Sequence, residues 1–180
     1  MKKKNKIVNS LRQFRVWHRW VGITIALLAT ISALTGILLA FKKNVDLLQP
    51  PTNKGESFEL SAWKSLAELA HIANVSFSTA YPGVPNHIDR IDVQPNKGIV
   101  KVLMEKGYWE VQLDGKSGEV LSIAQRHADW IEHLHDGSII SDGFKLISMN
   151  VLGWGLILMI VTGLWLWYGP KKIRKQRLDR

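Results

Sequence analysis

The sequence predicts a membrane α-helical hairpin with both termini in the cytoplasm, into which a small α+β periplasmic domain is inserted. Two uncharged apolar runs and the distribution of basic residues predict this fold. Residues 20–41 and 146–170 contain no Asp, Glu, Lys or Arg. An apolar helix of about 20 residues crosses the hydrocarbon core of a bilayer. Each run ends at Lys or Arg and at aromatic residues, which disfavours two buried helices of a soluble protein.

The charge distribution predicts the orientation. The net charge is +9, and residues 1–19 carry seven basic groups and no acid, whereas residues 171–180 carry six basic groups and one acid. These ends hold +12 and the rest of the chain −3, so no folded basic domain and no nucleic-acid partner is expected. Because Lys and Arg concentrate on the cytoplasmic side of spans, we expect a multi-pass protein of the bacterial inner membrane, with residues 42–143 in the periplasm.

These observations predict how the chain is divided. We expect a basic cytoplasmic tail (1–19), transmembrane helix 1 (20–41), a linker (42–57), a periplasmic domain (58–126), an interfacial amphipathic segment (127–145), transmembrane helix 2 (146–169) and a second basic cytoplasmic tail (170–180). A cleaved signal peptide is the alternative for the first apolar run. Its apolar region would be too long and lacks a small-x-small cleavage site, so the run is expected to be retained.

Small residues in the apolar runs predict close helix packing. In the first run they are spaced four and three residues apart, on one face of a helix: Gly22, Ala26, Ala29, Ala33, Gly36 and Ala40. In the second run they are spaced seven apart: Ser148, Gly155, Thr162 and Gly169. A Thr-Gly pair also recurs near the end of each run, at Thr35-Gly36 and Thr162-Gly163. The stripes fit a hairpin packed on itself, a contact with a second chain, or both.

The segment between the runs is expected to form one helix on a three- or four-stranded antiparallel sheet. An amphipathic helix of about 14 residues is predicted from apolar positions at helical spacing: Trp63, Leu66, Ala67, Ala70 and Ala73. Alternating apolar residues predict strands around Ile91 and Val93, Val100 to Met104, Trp109 to Leu113, and Leu121 and Ile123. This segment contains no nucleophile–base pair, carboxylate dyad or phosphate-binding loop.

The chain has no cysteine, which excludes several kinds of site. Cys-ligated zinc, iron–sulfur clusters, thiol catalysis and disulfides all need a thiol. Covalent attachment of haem through C-x-x-C-H is excluded for the same reason.

Several short motifs resemble a known family. Residues 108–121, Tyr-Trp-Glu-Val-Gln-Leu-Asp-Gly-Lys-Ser-Gly-Glu-Val-Leu, resemble the last strands of a PepSY domain. The flanking motifs are similar to those of the PepSY-associated transmembrane family: His18-Arg19-Trp20-Val21-Gly22, Leu34-Thr35-Gly36, Leu134-His135-Asp136-Gly137 and Thr162-Gly163. Together they extend the resemblance over roughly residues 14–170.

The resemblance implies two functions. Larger relatives have four or more spans and two PepSY units, and some are similar to inner-membrane reductases that use b-type haem to reduce ferric siderophores. It implies a haem b-binding electron-transfer subunit that supports reduction of ferric iron or ferric siderophore at the periplasmic face, as the reductase or its subunit. The alternative is a non-enzymatic, membrane-anchored PepSY module that binds or regulates a periplasmic or membrane partner, such as a peptidase or transporter.

The candidate iron ligands in this chain are histidines, since haem in a membrane protein is bound by neutral imidazoles on its helices. His18 lies four residues before Gly22, so it is expected to face a neighbouring helix; an interfacial histidine among headgroups is the alternative. His133 and His135 lie roughly 200° apart around a helix, so they cannot both face one site, and His135 borders the apolar side. The predicted iron ligands are His18 and His135, and His133 is a further cofactor-binding candidate.

The different depths of His18 and His135 in the membrane predict that a second chain supplies further iron ligands. His18 lies at the cytoplasmic end of the first span and His135 just outside the second, so roughly 30 Å of hydrocarbon separates them. One iron cannot bind both residues. Each therefore needs a ligand from a second copy, in a homo-oligomer, or from another membrane protein. Met149 and Met159 are other possible ligands, although packing explains them more simply.

Overall fold

The computed structural model describes the backbone of residues 2–178 and the side chains of residues 6–175. Its elements are α1 Lys2–Ala40, α2 Leu66–Ala80, β1 Ile88–Gln94, β2 Ile99–Met104, β3 Trp109–Asp114, β4 Val120–Gln125, α3 His127–Asp136 and α4 Asp142–Leu178. They form two compact units, which are residues 1–37 with 133–180 and residues 38–132. The outermost side chains of the two predicted basic tails, residues 1–5 and 176–180, lie outside the described part.

Two helices are long and apolar enough to cross a membrane. α1 and α4 contain 39 and 37 residues, so each is about 55–60 Å long at 1.5 Å per residue. The predicted spans occupy only part of that length, because both helices continue into their basic ends. Large apolar side chains cover the outer faces, with Leu27 71% and Leu146 67% exposed, as expected of helices surrounded by lipid.

α1 and α4 pack antiparallel through contacts that recur every seven residues. A Cβ added to Gly169 would come 2.5 Å from Leu11 Cδ2, and one added to Gly155 would come 2.5 Å from Ile25 Cγ2. A seven-residue period keeps one seam of each helix facing the other, as in a coiled coil. Large side chains of α1 therefore fill the spaces that small residues leave on α4.

The two predicted small-residue stripes have different outcomes. All four members of the α4 stripe are buried, as predicted: Ser148, Gly155, Thr162 and Gly169. The members of the α1 stripe differ in burial, and the prediction left open which neighbour they face. Gly22, Ala29 and Gly36 are half-buried, whereas Ala26, Ala33 and Ala40 are exposed. The seam of α1 is formed by larger residues instead, so part of its small-residue face lies outside the hairpin.

The unit of residues 38–132 is an antiparallel sheet with one helix on it. Its four strands follow one another as a meander, in the order β1-β2-β3-β4. α2 begins at a capping box, in which the side chains of Ser65 and Glu68 each accept a hydrogen bond from the other's backbone N–H. The helix buries Leu69, Ala73 and Phe77 against the sheet. This is the fold of one helix and four strands that the sequence predicts.

The buried face of α2 agrees only in part with the predicted one. Ala73 is buried as predicted, but Leu66 is 49% exposed, and Leu69 and Phe77 are fully buried. The helix begins at Leu66, after Trp63, and continues to Ala80. Leu69, Ala73 and Phe77 then share one face. Burial of a leucine and a phenylalanine contributes more than burial of alanines, and this decides the orientation.

The second face of the sheet is polar and is nevertheless buried. Lys101, Glu110 and Gln112 are at most 2% exposed there. The segment predicted to be a linker, 42–57, covers them, and Gln112 Nε2 donates a hydrogen bond of 2.9 Å to Pro51 O. These residues therefore form part of the sheet unit as well as connecting it to α1.

Replacement of Gly155 by leucine is expected to disrupt the seam between α1 and α4, since even a Cβ would come 2.5 Å from Ile25. Overpacking costs about 1–3 kcal/mol, so the thermal midpoint of the purified protein in detergent should fall by several degrees. Gly153→Leu is the matched control, because nothing lies within 4 Å of a Cβ at that position. Equal midpoints for the two variants would contradict the packing.

Candidate functional site

Three of the six histidines are exposed: His71 on α2, His87 before β1 and His127 at the start of α3. The other three are half-buried and belong to the unit that contains both membrane helices: His18, His133 and His135. These three are the predicted cofactor-binding residues.

His18 lies on α1 and faces α4. Its Nδ1 lies 2.7 Å from Thr162 Oγ1. A Cβ added to the adjacent Gly163 would lie 3.5 Å from His18 Cε1, so the ring packs over this glycine. The expected orientation toward a neighbouring helix is therefore correct.

His135 makes the same kind of contact with a Thr-Gly pair, which here lies on α1. It lies near the end of α3 and faces α1, with its Nδ1 2.9 Å from Thr35 Oγ1. A Cβ added to Gly36 would lie 3.4 Å from His135 Cε1. The ring thus packs beside the Thr-Gly pair of the first apolar run, while His135 itself precedes the second run in the chain.

The two threonines favour the Nδ1–H form of each neutral histidine ring. Each donates its single hydroxyl proton to the carbonyl four residues earlier, at 2.6 Å from Thr162 to Leu158 O and 2.7 Å from Thr35 to Ile31 O. Each hydroxyl oxygen is then an acceptor for a histidine Nδ1–H. In a neutral ring this arrangement leaves the lone pair on Nε2, the form in which imidazole binds metal ions. Neither Nε2 has a hydrogen-bond partner among the described residues.

Sequence reasoning does not identify Thr35 and Thr162 as part of the site. The signal is present as the recurring Thr-Gly pair, which by itself indicates only helix packing. Its meaning depends on which residue of the facing helix lies opposite each pair, and that requires the antiparallel register.

His133 contacts the turn that follows α3 rather than α1. Its Nδ1 lies 2.5 Å from Ser138 Oγ, and its carbonyl oxygen accepts a hydrogen bond of 3.1 Å from the N–H of Ile139. His133 and His135 thus do not meet at one site, as their angular separation predicts.

The turn between α3 and α4 holds His135 in place. Gly137 has φ 82°, a left-handed conformation that favours glycine. The carboxylate of Asp136 accepts a hydrogen bond of 2.9 Å from Ser138 N–H and pairs with Lys145 Nζ at 2.5 Å. Burial raises the pKa of Asp136, but the hydrogen bonds from Lys145 and Ser138 outweigh it and lower the pKa to about 2.

A cavity of about 220 Å³ lies beside His135. Its walls are mainly apolar and include Leu28, Ile31, Phe144 and Leu152. Met149 also lines this cavity, whereas Met159 packs against the other helix, 3.2 Å from a Cβ at Gly22.

His18 and His135 lie at different depths. Seventeen residues of α1 separate His18 from Thr35, which corresponds to about 25 Å along the helix. The described residues include no group of three His, Asp or Glu side chains able to hold a metal ion. The chain thus offers two single imidazoles at two levels, rather than one site with two ligands.

Comparison with known proteins identifies the architecture. A family model described as "PepSY-associated TM region" matches residues 15–179. This range contains both apolar runs and the whole sheet unit, and it confirms the resemblance seen in the short motifs. No curated protein matches the chain.

Asp136→Asn is expected to change how stability depends on pH. The folded pKa of about 2 lies below the usual 3.8, so the carboxylate contributes stability above about pH 4, and this contribution is lost as the pH falls toward 2. The variant should have a lower thermal midpoint than the parent at pH 5 and a smaller fall in the midpoint between pH 5 and pH 2.5. Asp46→Asn, at an exposed position, is the control. Parallel pH curves for D136N and the parent protein would exclude this role.

Proposed function

Because the chain belongs to the PepSY-associated TM region family, we propose that it is a haem b-binding electron-transfer subunit of the bacterial inner membrane. It would support reduction of ferric iron or a ferric siderophore at the periplasmic face. The observation that carries the proposal is the contact of His18 Nδ1 and of His135 Nδ1 with a threonine hydroxyl of the facing element. In a neutral ring this contact leaves Nε2 available as a ligand. Histidine nitrogens of this kind are axial ligands of haem iron.

Thr35 and Thr162 are positioning residues for the two rings. A hydrogen bond at the second nitrogen of a ligating histidine sets its tautomer, its ring orientation and its basicity. Gly36 and Gly163 complete this arrangement, because the absence of a side chain lets each ring lie close to the helix backbone.

The donor set fits haem b, which supplies one-electron redox chemistry when bound. The chain also provides an apolar wall at the level of His135, in the cavity between α1 and the start of α4. The volume of about 220 Å³ is smaller than the ~300–1,000 Å³ of most small-molecule sites. A haem at this level would therefore lie partly against a second protein, with this chain supplying one ligand and one wall.

A second copy of this chain is the simplest source of the missing ligands. A two-fold axis along the membrane normal, in a symmetric dimer, brings equal depths together, so His18 would meet His18 and His135 would meet His135. The exposed Ala26 and Ala33 of α1 would allow a second backbone to approach closely. A different membrane protein with imidazoles at the same depths would serve equally.

The charge distribution supports an orientation of the protein in the membrane. Arg12, Arg15 and Arg19 lie at the end of α1 next to His18, and basic residues concentrate on the cytoplasmic side. His18 would then lie near the inner surface and His135 nearer the outer one. The sheet unit, which follows the outer end of α1, would face the periplasm.

Protein purified from membranes in mild detergent is expected to show the reduced α-band of a b-type haem. If a dimer binds two haems, the content is one haem per chain. His18→Ala and His135→Ala should each remove roughly half of the haem, and the double variant nearly all of it, because each change removes the ligands at one depth. His71→Ala, at an exposed position on α2, is the control and should retain the full content. Haem per chain and the detergent-corrected mass are the measurements.

Haem-free protein from cells with ample haem would reject this function. It would favour the alternative of a non-enzymatic PepSY module that binds or regulates a periplasmic or membrane partner, which crosslinking could then identify. A haem-loaded monomer would instead reject the second copy as the source of ligands.

Thr35→Val removes the hydroxyl that orients His135 at nearly constant volume. Loss of such a contact costs about 10–100-fold in metal affinity, so haem should dissociate more readily from one of the two sites. The reduction potential of the haem that remains there should rise, because the ligand is less basic. Thr35→Ser should restore both properties. Thr30→Val is the control, since Thr30 is exposed and bonds only Ala26 O on its own helix; equal effects of T35V and T30V would contradict the role of Thr35.

A further inference from the structure

A second cavity, of about 400 Å³, lies between the basic ends of α1 and α4. It is lined by four apolar residues and two arginines: Val8, Leu11, Pro170, Ile173, Arg15 and Arg174. The cavity thus combines an apolar wall with two guanidinium groups.

The two arginines lack an acidic partner in the described part of the chain. Neither forms an ion pair or a hydrogen bond there. The sequence contains no Asp or Glu in residues 1–45 or 143–178, so neither helix provides a counter-charge at this end. Arg15 and Arg174 are both exposed, so their guanidinium groups are accessible to an anion that enters the cavity.

The helix seam places both arginines at this cavity. Leu11 packs against Gly169, and Arg15 follows Leu11 by four residues, which puts it on the same face of α1. Arg174 follows Pro170 by four residues in the same way. Since the helices are antiparallel, the two arginines lie about one turn to either side of the Leu11–Gly169 contact.

Neighbouring aromatic residues place the cavity at the depth of lipid headgroups. Trp165 Nε1 donates a hydrogen bond of 3.1 Å to Ser10 Oγ, and Lys171 Nζ lies 3.4 Å from the centroid of the Trp167 ring. Tryptophan together with Lys or Arg at the end of a span is typical of the membrane–water interface.

We propose that this cavity binds the headgroup phosphate of an anionic phospholipid. Arg15 and Arg174 would contact the phosphate, since the guanidinium fork suits phosphate oxygens, and the apolar wall would contact the glycerol and the first acyl carbons. A small soluble anion would use only the arginines and would leave the apolar wall exposed to water. This combination of groups favours a lipid and is independent of haem binding.

The test compares binding of phosphatidylglycerol and phosphatidylcholine to the purified full chain in mixed detergent micelles, by native mass spectrometry. Phosphatidylglycerol should bind more tightly, and Arg15→Gln with Arg174→Gln should weaken it by about 20–30-fold, roughly fivefold for each basic residue. Arg12→Gln with Lys172→Gln removes the same charge from exposed positions outside the cavity and should change binding less than threefold. Arg15→Lys with Arg174→Lys retains the charge, and intermediate binding is expected.

Three results would overturn the proposal. Equal binding of the two lipids would show that the cavity does not select an anionic headgroup. Equal losses in the two Gln double variants would show attraction by overall charge alone. Stabilisation by inorganic phosphate as strong as that by phosphatidylglycerol, with the same dependence on Arg15 and Arg174, would show a site for a free anion. If the Gln variant does not fold, the Lys variant decides the outcome, since unchanged selectivity in it would exclude recognition by the guanidinium forks.

Discussion

The interlocking of large α1 side chains with small α4 residues, repeated every seven residues, is the contact on which the membrane unit depends. Leu11 fits against Gly169 and Ile25 against Gly155, and the position midway between them brings His18 to Thr162. A glycine contact of this kind permits one register only, since a shift of a few residues would drive a leucine or isoleucine into a larger neighbour. Helix packing and the orientation of the imidazole are therefore consequences of the same contact.

The sheet unit relies on different physical interactions on its two faces. Apolar packing of α2 closes one face, whereas a buried ionic network occupies the other, with Lys101 Nζ 2.9 Å from Glu110 and Arg126 3.3 Å from the same carboxylate. Loss of one member of such a network costs about 3–5 kcal/mol, because the remaining charge stays buried and unpaired. These charged residues therefore serve the fold of the sheet unit.

Much of the fold follows from local patterns. Uncharged runs predict both membrane helices, and alternation of apolar residues predicts all four strands, because each pattern reports burial within one element. The predicted face of α2 is only partly correct: Ala73 is buried, whereas Leu66 is exposed and the larger Phe77 is buried instead. Half of the α1 stripe lies outside the hairpin, which the sequence left open, because small residues permit close approach but do not specify which neighbour approaches.

The sequence by itself determined that two apolar helices flank an α+β segment, and that His18 would face another helix. These conclusions depend on hydropathy and helical period, which are properties of one segment at a time. Only the tertiary structure decided that His18 contacts Thr162 and that His135 contacts Thr35, on the opposite helix in each case. The physical reason is that a hydrogen bond between distant segments depends on their register, and the register is set by the shapes of the two helix surfaces in contact.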